Sequence, residues 1–137
     1  MSTDLIVRAV HIADMRVDVH IRDQVLSMDY PVRPGAAPTP LEILMASLAA
    51  CAGNTLYSVL RRKMGAKVES LTVEARAHRR EEHPTILTAI ELAYRLRGEA
   101  LDSTVVERAV HVAEDQLCPV LAMLRPGTQI TSSCQIG

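Results

Sequence analysis

Hydrophobic and polar positions alternate strictly over Met15–Arg22. Met15, Val17, Val19 and Ile21 fall on one face of an extended chain, and Arg16, Asp18, His20 and Arg22 fall on the other. A period of two marks a half-buried β-strand. The β-branched run Leu5–Ile12 reads as a strand before it. After a turn around Arg22–Gln24, Leu26, Met28 and Tyr30 resume the alternation, so the pattern predicts an N-terminal hairpin. Alternation returns at Lys67–His78, where Leu71, Val73, Ala75 and Ala77 oppose Thr72, Glu74, Arg76 and His78. A polar turn at Arg80–Pro84 leads to a long strand, Ile86–Arg97, with Gly98 as its end. Ile130, Ser132, Cys134 and Ile136 share one face of a terminal strand, which places Cys134 in the core.

Between these strands the period changes. Tyr30–Pro40 carries prolines at 31, 34, 38 and 40 together with Gly35, so it is a loop of restricted φ. Thr39-Pro40-Leu41-Glu42 then forms a capping box with proline at the first helical position. The helix it opens should run to about Met64, with Arg61, Arg62 and Lys63 at the favourable end of the dipole and Gly65 as the stop. Its strongly apolar stretch, Ile43 to Gly53, is short of the roughly 20 residues needed to cross a bilayer. It is apolar almost all round, and such a helix must be enclosed by other structure on most sides. Asp102 or Ser103 caps a second helix with the stripe Val105, Val106, Ala109, Val110, Ala113 and Leu117. Cys118-Pro119 breaks that helix and opens a short one over Val120–Leu124. Strands, helix, strands, helix, strand in this order predict one α+β domain over 1–137, with antiparallel sheets and a long buried central helix.

Composition narrows the function. With 137 residues, 48% hydrophobic and 23% charged, the chain can bury one core. A formal net charge of -1 argues against holding nucleic acid or a membrane surface by bulk charge. Three Tyr with no Phe or Trp cannot build a stacking platform for bases. The three cysteines are odd in number and include no CxxC, and Met1–Asp14 lacks a signal pattern, so a reducing cytoplasm is the expected compartment. No HExxH, GxSxG, GxGxxG or P-loop occurs, so no metal and no nucleotide cofactor is expected.

Under reducing conditions a cysteine is either a small core hydrophobe or chemistry. Cys51 lies mid-helix in Ala49-Ala50-Cys51-Ala52-Gly53, where small neighbours allow another element to pass close by. Cys118 stands just before Pro119, at the N-cap of the short helix. Free N–H groups and the dipole there should favour the thiolate and lower its pKa.

The segment Pro38–Cys51, with Pro40-Leu41-Glu42-Ile43-Leu44-Met45-Ala46-Ser47-Leu48-Ala49-Ala50-Cys51 at its heart, resembles the signature helix of the OsmC/Ohr family of organic hydroperoxide reductases. Cys118-Pro119-Val120-Leu121-Ala122-Met123-Leu124 resembles that family's second cysteine segment. The resemblance implies an intertwined homodimer with active sites at the dimer interface. It also implies oxidative-stress defence by thiol chemistry: Cys51 as the peroxidatic thiol, Cys118 as the resolving thiol, and a disulfide reduced by an external dithiol. The family takes an arginine from the loop before the helix to stabilise the thiolate, and Arg33 occupies that loop. One departure stands out. The family carboxylate follows the helix-opening proline directly, where this chain has Leu41, and Glu42 comes one place later. At ~100° per residue, Glu42 lies about 180° around the helix from Cys51 and Leu41 only ~80° away. Glu42 therefore enters as a candidate catalytic residue that already has a complete capping role. The rival expectation is a non-catalytic dimer that binds a small apolar molecule at its interface. Leu41 favours that rival, and the cysteine pair favours the enzyme.

Overall fold

The structure, a computed structural model, describes residues 3–137. Met1 and Ser2, which begin the segment expected to lack a signal, lie outside the described residues. By its internal contacts the chain divides into two compact units, Met1–Leu44 and Met45–Gly137.

The first unit is a three-stranded antiparallel meander of β1 (Arg8–Ala13), β2 (Arg16–Ile21) and β3 (Gln24–Met28), in the order β1-β2-β3. It adds one strand pairing to the expected hairpin. The β2–β3 turn closes on Arg22, which takes φ +55°, and Val19 is the buried residue of β2. The proline-rich loop follows. Ala36 N–H donates to Arg33 C=O at 3.1 Å around Pro34 and Gly35. Gly35 has φ +79°, as a type II turn requires at its third position. Helix α1 (Pro40–Ser58) opens on the expected box: Thr39 N–H donates to Glu42 Oε1 at 2.9 Å, and Glu42 N–H donates to Thr39 Oγ1 at 3.2 Å.

In the second unit α1 runs into a π-helical turn, Val59–Lys63, which stops at Gly65 with φ +65°. The 24 residues Pro40–Lys63 are long and apolar enough to cross a membrane by length and composition alone. Leu48, Ala52, Leu56, Val59 and Leu60 nevertheless pack into the hydrophobic core, which makes this a core helix. Strand β4 (Lys67–Arg79) pairs antiparallel with β5 (Leu87–Glu99). Their turn is held by Arg80 Nε, which donates to the carbonyls of Glu82 and Pro84. β5 does not end at Gly98. It runs to Glu99, and a Cβ at Gly98 would stand 1.9 Å from the Lys67 carbonyl oxygen, so the strand continues where only glycine fits.

Helices α2 (Ser103–Val112) and α3 (Pro119–Leu124) then lead to β6 (Gln129–Ile136). Asp102 caps α2 by accepting from Val105 N–H at 2.8 Å. β6 pairs with β5 in parallel, which corrects the expectation of purely antiparallel sheets. The helical crossover carries the chain back to the end where β5 began, so β6 runs in the same direction. Cys134 is exposed rather than core; it lies on β6, an edge strand in the order β4-β5-β6. The core is aliphatic around one aromatic: Leu48, Leu56, Leu60, Ile90, Leu92, Val106 and Leu121 enclose Tyr94.

Candidate active site

Cys51 projects from the middle of α1 and is half-buried, whereas Cys118 is 2% exposed. Small residues let α1 lie close to the sheet: a Cβ at Gly53 would meet Val73 Cγ2 at 3.1 Å. That approach and the break at Pro119 bring two thiols 67 positions apart to an Sγ–Sγ distance of 3.3 Å, both free. A disulfide bond is about 2.05 Å long, so closure asks for an approach of roughly 1.2 Å.

Cys118 is the N-cap of α3, with Pro119 in the first turn, as expected. Its pKa moves the other way from the expectation. Burial pushes the thiol up, and the neighbouring Cys51 thiol adds to this. The N–H groups of Leu121 and Val120 pull it down without overcoming the loss of water. Cys118 is therefore protonated at neutral pH.

The helix end before Cys118 holds a feature that periodicity did not reveal. After Val112 the chain widens into a π turn, Ala113–Leu117, closed by Cys118 N–H donating to Ala113 C=O at 2.9 Å. The wider turn alters the helical register. Leu117, expected on the apolar stripe, is 44% exposed, and Glu114 is buried instead. Its carboxylate accepts from Tyr94 Oη at 2.7 Å and from Ser132 Oγ at 3.2 Å, and it lies 3.6 Å from Arg125 Nη2. Arg125 also donates to Asp115 at 2.8 Å, and this bond lowers the Asp115 pKa. Burial, and then the bond to Glu114, drive Tyr94 far above the ordinary tyrosine range, with the Cys118 and Cys134 sulfurs adding in the same direction. Tyr94 therefore remains a phenol that donates. A lone tyrosine on the core face of β5 was the available sequence signal, because a buried phenol needs a polar partner.

The other candidates lie in the first unit. Arg33 Nη2 pairs with Asp29 Oδ2 at 3.2 Å, with the arginine side chain 53% exposed and the aspartate 11%. Asp29 also accepts from Tyr30 N–H at 2.7 Å and donates its own N–H to Pro38 C=O at 3.0 Å, so one residue, through its carboxylate and its backbone N–H, ties both ends of the proline loop. Sequence reading missed Asp29, which carries no motif. Glu42 is exposed and engaged in its capping box, and Leu41 is half-buried. Among the described residues no group of three or more His, Cys, Asp or Glu side chains is placed to hold a metal. A groove of about 460 Å³ runs along α1, lined by Ala49, Ala50, Gly53, Tyr57, Leu71 and Val73 among others.

The chain is similar to known proteins in sequence and in fold. The family described as OsmC-like protein matches residues 33–133, a span that holds Arg33 and both thiols of the pair. Protein YhfA of Escherichia coli strain K12 is 31% identical over 100 residues, covering 73% of this chain and 74% of YhfA. An OsmC-like protein from Mycoplasma pneumoniae superposes with a TM-score of 0.87 at 18% identity, covering 99% of each chain. An organic hydroperoxide resistance protein from Elizabethkingia anophelis superposes with a TM-score of 0.75 at 19% identity over the full length of both chains. At such identities the two structures establish the shared fold.

Proposed function

Because the chain belongs to the OsmC-like protein family, we propose that its thiol pair reduces organic hydroperoxides at the expense of an external dithiol. The observation that carries this reading is the 3.3 Å separation of the Cys51 and Cys118 sulfurs. The half-buried Cys51 attacks the hydroperoxide as thiolate. A sulfur–oxygen bond forms and the O–O bond breaks; the alkoxide takes a proton and leaves as the alcohol, and Cys51 becomes a sulfenic acid. Cys118 then attacks that sulfur. A disulfide forms, and the thiol proton departs with the hydroxyl as water. Two thiol–disulfide exchanges with a small dithiol restore both thiols. In this proposal Arg33 supplies the positive charge that favours the Cys51 thiolate, and Glu42 acts mainly as a cap.

The proposal includes a homodimer. Ala50, Asn54 and Tyr57 on α1 are exposed in the single chain, although the helix is apolar nearly all round, and this supports a second copy as its cover. The groove along α1 and the presence of Leu41 support one alternative, a dimer that binds a small apolar molecule without turnover. Consumption of an organic hydroperoxide in the presence of a dithiol, followed with native protein and Cys51→Ser, separates the two. Turnover lost in Cys51→Ser supports the enzyme, and no turnover in native protein supports the binder.

A further inference from the structure

Ionised carboxylates are rarely buried, because removing one from water costs several kcal/mol unless its hydrogen bonds and charge are matched. Glu114 is 9% exposed, and donors come to it from three separate elements: Tyr94 on β5, Ser132 on β6, and Arg125 just past α3. The peroxide chemistry above uses none of them. Their placement is specific. Glu114 belongs to the π turn whose closing bond is donated by the backbone N–H of Cys118, and Cys118 begins α3. Arg125, at the far end of α3, reaches back to both Glu114 and Asp115 on that turn. The π turn, Cys118, α3 and Arg125 thus form a closed ring, and Tyr94 bolts that ring to the central strand of the sheet.

We infer that Glu114, through Tyr94 and Arg125, is a positioning residue that holds Cys118 against Cys51 and so raises the effective concentration of one thiol at the other. This rests on the reading of Cys51 and Cys118 as a redox couple, but not on hydroperoxide as the oxidant. The Glu114 carboxylate anchors the turn that the Cys118 N–H closes, so a displacement of that turn moves the second thiol.

The test equilibrates the purified full-length protein in glutathione buffers of graded ratio and measures the Cys51–Cys118 disulfide by alkylation and mass spectrometry. Thermal unfolding of the reduced protein is recorded in parallel. Tyr94→Phe removes the bolt and keeps the ring shape. Arg125→Gln opens the loop at a side chain 39% exposed, where folding tolerates change. Glu114→Gln keeps the volume and removes the charge. Each variant is expected to lower the effective concentration of the couple about tenfold, which raises its potential by about 30 mV. Tyr94→Phe combined with Arg125→Gln should cost less than the sum of the two, since both act through one carboxylate. An effective concentration within twofold of native, or above it, in Arg125→Gln and Tyr94→Phe overturns the inference, even if melting temperatures fall. So does native protein that forms no such disulfide at any glutathione ratio. Native protein that forms the disulfide but consumes no hydroperoxide sinks only the proposed oxidant, and the positioning result stands.

Discussion

The Sγ of Cys118 lies 3.3 Å from the Sγ of Cys51, although the two residues stand 67 positions apart, one inside α1 and the other at the N-cap of α3. One thiol is half-buried and the other almost wholly so. That asymmetry suits a division of labour in which the more accessible sulfur meets the substrate and the sheltered one meets the oxidised product.

The first prediction separates these roles. Cys51→Ser should abolish hydroperoxide consumption. Cys118→Ser should consume about one equivalent and then stall, leaving on Cys51 a sulfenic acid that dimedone traps. Normal turnover by Cys118→Ser would show that the external thiol resolves the intermediate directly.

A second concerns pH. Burial holds the Cys118 pKa above the ordinary thiol value of 9.0. Resolution needs the thiolate, so the rate of disulfide formation after a single oxidation should climb with pH and show no plateau below that value. The linkage has a definite sign. A pKa raised on folding means that the native state binds the proton more tightly, so this contribution to stability is present below the unfolded pKa and lost as pH rises through the folded one. Denaturant titrations of the reduced protein above pH ~9 should show this alkaline loss, smaller in Cys118→Ser.

Third, the helix start can be dissected. Thr39→Ala removes an N-cap and should cost about 1 kcal/mol in denaturant unfolding. Glu42→Gln preserves the reciprocal bonds and should slow Cys51 oxidation less than Arg33→Ala does. Leu41→Glu should speed it, because the helix dipole tolerates an acid in the first turn and a carboxylate is restored at the position next to the opening proline. Stopped-flow rates with one organic hydroperoxide decide among these. An equal collapse in Glu42→Gln and Arg33→Ala would make Glu42 catalytic.

Assembly is the subject of the fourth. Sedimentation velocity at micromolar concentration should give a single dimeric species, and the dimer should bury more than ~2,000 Å². A stable monomer would refute the proposed cover for α1.

What the sequence determined by itself was local. The Thr39–Glu42 box, the stop at Gly65, a cap at Asp102 or Ser103 and the period-two strands were legible because capping and alternation act over a few residues; the structure selects Asp102. The cysteine-bearing segments were legible as a family pattern, and the thiol pair was expected on that ground alone. Tertiary structure decided the rest. The parallel entry of β6 depends on a crossover of helices, and Cys134 is exposed on the strand that ends at the sheet's edge. Arg33 meets Asp29 because the proline loop folds back on the end of β3. Burial of Glu114 and the outward turn of Leu117 follow from one π turn, which no α-helical period anticipates. The rise in the Cys118 pKa is of the same kind. A helix N-terminus read from sequence favours the thiolate, but the packing that excludes water from that sulfur is nonlocal, and it outweighs the N–H groups.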